Sequence, residues 1–184
     1  MAWFQYVGYV GQGFCGLIAI IHIYITILEM FLWRKLAPKS FGLPVHVVEA
    51  SAPLAANQGI YNGALALGLI YGLLIQDVIL LHFLALVIIA VGIFGGLTGS
   101  IKIIFVQVVP GVLAYIFLSV DYYAQIIYSL SNVISAAGIL YVIGIVFIHT
   151  FIIFAIISGI LIRKREQEAA INVDAQQSLI TTPE

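Results

Sequence analysis

The feature that most constrains this chain is its set of long apolar runs. Five segments are each long enough to form a helix that crosses a bilayer: about Gly11–Trp33, Ala55–Ile75, Val78–Leu97, Ile103–Val120 and Val133–Ile162. A spanning helix needs roughly 17–25 mostly apolar residues. The runs are continuous rather than alternating, which selects helices over a barrel. The last run, about 30 residues or about 45 Å of helix, must tilt, protrude or begin outside the hydrocarbon. Composition agrees. The chain is 63% hydrophobic and 8% charged, whereas a soluble surface carries roughly 25–35% charged residues. The expected fold is all-α: a polytopic membrane bundle of five transmembrane helices, one domain over residues 1–162, followed by a tail over 163–184.

The basic residues set the orientation. Arg34, Lys35 and Lys39 follow the first run, Lys102 separates the third from the fourth, and Arg163, Lys164 and Arg165 follow the fifth. With the N-terminus outside and the C-terminus cytoplasmic, all of them fall on the cytoplasmic side, while Asp77 and Asp121 face out. Tyr122, Tyr123 and Tyr128 then sit at the outer interface and Trp33 at the inner one. The cell (cytoplasmic) membrane is the expected location. The inner segment Arg34–Leu54, with Pro44 and Pro53, reads as a loop with a short interfacial turn at VHVVEA. The tail is expected to extend the fifth helix by a turn or two and then to be mostly disordered.

Several function classes drop out. The single cysteine, Cys15, allows neither an intrachain disulfide nor a cysteine metal cluster. The opening MAWFQYVGYV lacks a basic stretch, so a cleaved signal peptide is not expected. The basic residues lie at span ends rather than in a patch, so nucleic acid is not an expected partner. GQGFCG, Gly11–Gly16, matches a dinucleotide fingerprint in letters alone, because no strand precedes it and a membrane helix contains it. No internal repeat points to an inverted-repeat transporter.

What remains is a set of polar residues inside apolar runs. Glu29 stands five residues before Arg34, about 7 Å inside the inner boundary. The stretch AANQGIYNG brings Asn57, Gln58, Tyr61 and Asn62 in from the same side, about 3–10 Å deep. Gln107, five residues past Lys102, reaches about 7 Å, and Thr98 ends the third span there. One layer in the cytoplasmic third of the membrane thus receives polar groups from four spans. An unpaired amide in hydrocarbon costs several kcal/mol, so Glu29, Gln58, Asn62 and Gln107 are expected to satisfy one another in a shared pocket.

His22, Thr26, Glu29 and Trp33, spaced four, three and four apart, share one helical face. An intramembrane carboxyl is either a protonatable or solute-binding group, or a structural acid held by amides near the headgroups. His22 and His149 reach similar depths, and interhelical hydrogen bonding competes with proton transfer as the reading of each. His82, near Asp77, reads as interfacial, and His46 as a loop residue. His22, Glu29 and His149 make only a partial ligand set, so no metal is expected, and no cofactor either. Gly59/Gly63, Gly68/Gly72, Gly92/Gly96 and Gly95/Gly99 carry the four-residue spacing that lets helices approach closely. A homo-oligomer through these glycine faces is one expectation. Pro110–Gly111 should kink the fourth span just after Gln107.

HIYITILEMFLW (His22–Trp33), FGL (Phe41–Leu43), AANQGIYNG (Ala55–Gly63) and VQVVPGVLA (Val106–Ala114) resemble the bacterial integral membrane family catalogued as domain of unknown function family 1304. The resemblance covers about residues 11–120. It implies a small integral membrane protein with four spans and no assigned reaction. The fifth span and the tail are additions.

Three functions compete. The first is small-solute binding or proton-coupled transport, with Glu29 as the coupling group, His22 as a deeper proton relay, and Asn57, Gln58, Tyr61, Asn62 and Gln107 orienting the solute. The second is a structural or assembly subunit, in which the polar layer only locks helices together. The third is a membrane-embedded enzyme acting on a lipid-like substrate. No nucleophile or metal set can be assembled for it, so an enzyme is disfavoured and no catalytic residue is named. Expected partners are membrane lipid, a small-molecule solute and a second copy of the chain.

Overall fold

The computed structural model describes residues 2–132 and 136–181. Every element among them is helical: α1 (Ala2–Ile27), a π-helical turn (Leu28–Leu32), α2 (Trp33–Phe41), α3 (Val45–Leu74), α4 (Val78–Thr98), a second π-helical turn (Ile104–Val108), α5 (Val109–Asn132) and α6 (Ala136–Thr181). Two stretches, Tyr6–Phe41 and Val78–Thr98, are long and apolar enough to cross a membrane, and Ile104–Val120 is a shorter apolar helix. In α3 the amides at Asn57, Gln58 and Asn62 dilute an otherwise apolar run.

The inner loop expected over Arg34–Leu54 is helical instead. The first helix passes through its π-turn into α2 and stops at Gly42, whose φ of 67° is the left-handed conformation that glycine adopts freely. Pro44 then caps α3 in an extended conformation, so VHVVEA is the first turn and a half of a helix rather than an isolated turn. Pro53 lies inside α3 and does not end it. A proline removes one helical hydrogen bond, and the surrounding 30-residue helix tolerates that loss. The α3–α4 turn uses Gln76 at φ 55°, with its Nε2 donating to the Leu73 carbonyl at 2.6 Å. Asp77 then caps α4 by accepting from the Leu80 N–H at 2.9 Å.

Pro110 does not act through a simple kink. In an α-helix its ring would press on the carbonyl four residues back. Here the turn just before it is π-helical, and the Val109 N–H bonds Ile104 O, five residues back. The start of the expected fifth span, residues 133–135, and the side chains of Tyr122, Tyr123 and Tyr128 lie outside the described residues. α6 continues to Thr181, well beyond the expected turn or two of extension.

The chain divides into two compact units, Met1–Leu86 with Pro110–Val133, and Val87–Val109 with Ile134–Glu184. In the first, α1 packs along α3, and its buried face runs through Cys15, Ile18, Ala19 and His22 and continues to Leu28 of the π-turn. α5 meets α1 where a Cβ on Gly11 would stand 2.8 Å from Leu118, and where Phe14 stacks on Phe117 at 6.0 Å. In the second, Gly92 and Gly96 lie against Gln107, Val108 and Ile104, and Gly159 lies against Leu97 and Phe94. The glycine faces are therefore occupied inside the chain. Gly59 meets Met30, Gly63 meets Thr26, and Gly68 and Gly72 meet Leu84 and Leu81.

Candidate functional site

A polar contact joins the first π-turn to α3. Asn62 Nδ2 donates to Glu29 Oε2 at 2.8 Å and also to the Gln58 carbonyl at 3.3 Å. Local sequence explains the approach. Gly59 presents no side chain, and a Cβ there would stand 2.6 Å from Met30 Cγ and 3.3 Å from Met30 N. The backbone of α3 therefore lies on the bulge itself, and Asn62, one turn along, reaches the carboxyl. π-turns within α-helices occur frequently at functional sites.

The rest of the α1 stripe also faces α3. Thr26 Oγ1 donates to the His22 carbonyl at 2.8 Å, and a Cβ on Gly63 would touch Thr26 at 3.4 Å. Trp33 Nε1 donates to Ser51 Oγ at 3.1 Å. Next to it, Arg34 Nε donates to Glu49 Oε2 at 2.8 Å, in an exposed ion pair. The guanidinium nearest to Glu29 in sequence is thus engaged elsewhere. Among the described residues Asn62 is the one hydrogen-bond partner of Glu29. An amide donor of this kind holds the carboxyl whether or not it carries a proton.

The AANQGIYNG stretch is divided by the helix. Asn62 is buried at 6% exposure, while Asn57, Gln58 and Tyr61 are exposed, Tyr61 at 58%. Only the backbone carbonyl of Gln58 joins the Glu29–Asn62 pair. His22 is fully buried at 0% exposure, on the same α1 face as Glu29. Gln107 belongs to the second unit, where its Cβ and Oε1 lie 3.1 and 3.4 Å from the place of a Cβ on Gly92. Thr98, in that unit, donates to its own helix at Phe94 O, at 2.9 Å. His149 is exposed on α6 and His46 is exposed in the first turn of α3.

One cluster was missed. His82 is buried at 3% exposure. Its Nε2 lies 3.1 Å from Ser119 Oγ, and its ring stacks on Tyr115 at 4.3 Å. Ser119 Oγ donates to the Tyr115 carbonyl at 2.6 Å, so it receives its hydrogen bond from His82. The available signal was the four-residue spacing of Tyr115 and Ser119, which puts both on one face of α5. Because the hydroxyl proton is committed to its own helix, this group joins α4 to α5 rather than presenting a nucleophile.

The family described as "Protein of unknown function (DUF1304)" matches residues 16–119. The chain belongs to this family. The DUF1304 region takes in both π-turns, the Glu29–Asn62 pair and the His82 cluster, and ends before α6. The chain is also similar to the "Uncharacterized protein YpaA" of Lactococcus lactis subsp. lactis (strain IL1403), at 37% identity over 105 residues, covering 54% of this chain and 88% of the relative. No solved structure matches the chain. Among the described residues no group of three histidine, cysteine or acidic side chains is placed to hold a metal ion.

Proposed function

We propose that this DUF1304 protein is an integral protein of the cell membrane, with five spanning helices, an outside N-terminus and a cytoplasmic C-terminus. In this reading Glu29 and Asn62 form the centre of a site that binds a small solute or couples its movement to a proton. One observation carries it: inside an apolar helix, a carboxyl stands on a π-turn, held by a neutral amide. A carboxyl kept in an apolar run is costly, and in spanning helices such acids mark solute and proton pathways. Asn62 keeps an amide oxygen, and Glu29 a second carboxyl oxygen, for a ligand.

A structural or assembly role has support of its own in the close contacts of Gly59 with Met30 and of Trp33 with Ser51. The two readings separate on the reactivity of Glu29. A hydrophobic carbodiimide attacks protonated carboxyls in apolar surroundings. Purified protein is expected to label at Glu29 above the pH range where ordinary glutamates ionise, about 4.3, and Glu29→Gln is expected to abolish that label. Absence of labelling at every pH favours the structural reading.

A further inference from the structure

His22 Nδ1 lies 3.0 Å from the Ile18 carbonyl. A carbonyl only accepts, so Nδ1 carries the proton and the lone pair of the neutral ring resides on Nε2. That nitrogen is buried, and among the described residues no group bonds to it. Leaving a buried acceptor unpaired costs about 1–3 kcal/mol. The chain has thus fixed the tautomer that aims a bare basic nitrogen into its own interior. Glu29 lies on the same helix face, seven residues along, about 10 Å away by the rise of the helix.

We propose that His22 Nε2 is a proton-binding station, paired with Glu29 along α1. The proposal rests on the coupling reading above and deepens it by adding a second proton-binding group to the site. In the transfer, a protonated Glu29 releases its proton to a water chain and Nε2 receives one, leaving a carboxylate and an imidazolium. At about 10 Å the step requires water as carrier. Among the described residues the surroundings supply no competing charge. In the antiparallel register that sets Asn62 at Glu29 and Leu73 at Gly16, α3 brings the buried Ala66 and Leu69 to the level of His22. Neither of these titrates, and Tyr61 and Tyr71 of α3 are exposed. Along the first helix the titratable groups nearest to His22 are Cys15, Glu29 of the π-turn, and Tyr24, which is exposed. α5, which meets α1 at Gly11 and Phe14, contributes Tyr115, stacked on His82 of α4.

Nitrogen-15 NMR of the full chain in lipid bilayers tests this. With His149→Gln, Ile21–His22 becomes the one Ile–His step in the sequence. Carbonyl-13C isoleucine with 15N histidine then reads His22 alone, with no change at His22 itself. The expected result at alkaline pH is a protonated Nδ1 and a bare Nε2, and acidification adds the proton at Nε2. At the pH of half protonation, Glu29→Gln, which keeps an acceptor for Asn62, should lower the imidazolium fraction roughly ninefold, from the loss of a charge about 10 Å away at an effective dielectric of about 20. An Nε2–H tautomer, a ring that stays neutral on acidification, or a titration indifferent to Glu29→Gln each overturns the pairing. Carbodiimide labelling of the same samples separates the two failures. Retained labelling with a silent His22 overturns the relay alone. Lost labelling overturns the reading beneath it.

Discussion

Asn62 performs two tasks with one amide, holding Glu29 and closing onto the Gln58 carbonyl. Asn62→Ala leaves a half-buried carboxyl without its donor, and hydrogen bonds to such groups contribute about 1.5–3 kcal/mol. A loss of that size is expected in the unfolding free energy measured in lipid nanodiscs. Gln58→Ala should stay within about 0.5 kcal/mol, since its side chain is exposed and only its backbone carbonyl is used. Equal losses in the two variants would sink the assignment. The same residues show what was legible. Counting along the chain put Glu29 and the AANQGIYNG amides at one level of their two helices, where Asn62 meets Glu29, because position along a helix is linear in residue number. It did not give their direction, because each residue also turns about 100° and the reference face is set by what packs there. Gly59 and Gly63 face α1, which carries Asn62 inward and turns Asn57, Gln58 and Tyr61 away.

At the scale of elements, the two glycines facing α1 are not equivalent. A Cβ on Gly59 would stand 2.6 Å from Met30 Cγ and 3.3 Å from Met30 N, whereas one on Gly63 makes an ordinary contact with Thr26 at 3.4 Å. Gly59→Ala must push the π-turn away and is expected to cost about 1–3 kcal/mol. Gly63→Ala is expected to be neutral or to stabilise by up to about 1 kcal/mol, since alanine restricts the unfolded chain. Chemical denaturation of the two variants side by side checks the order. The four-residue glycine spacing was readable from sequence, but whether it served another copy or the chain itself was not. Proline misled in a related way. Pro44 and Pro53 were read as loop markers, yet one caps α3 and the other sits inside it. A cap position and a long helix that absorbs one lost hydrogen bond look the same in sequence as a break.

For the whole molecule, orientation is the expectation most open to test. Cys15 is fully buried, so the native thiol gives little background to an impermeant maleimide. Gln76→Cys, exposed in the α3–α4 turn, is expected to label in intact cells. Lys39→Cys, exposed in α2, is expected to label only after permeabilisation. The reverse pattern would invert the proposed topology. The all-helical class and the DUF1304 membership were legible because both follow from long apolar runs and contiguous blocks of sequence. The His82–Tyr115–Ser119 group was not, because it joins residues 37 positions apart through a pairing of helices that no local pattern encodes.

The π-turns have a consequence for deletion. A π-turn contains one residue more than the α-turn it replaces, so it acts as a phase shifter. Residues on its two sides are out of step by about 100° relative to a straight helix. Removing one residue from Leu28–Leu32 would let the segment relax to an α-turn and leave everything beyond it in phase, so Trp33 would still meet Ser51 and Arg34 would still meet Glu49. What would be lost is the bulge itself, and with it the placing of Glu29 against Asn62. The extra residue thus serves the carboxyl rather than the course of the helix, and loss of one codon there is expected to break the Glu29–Asn62 pair while sparing the contacts on either side.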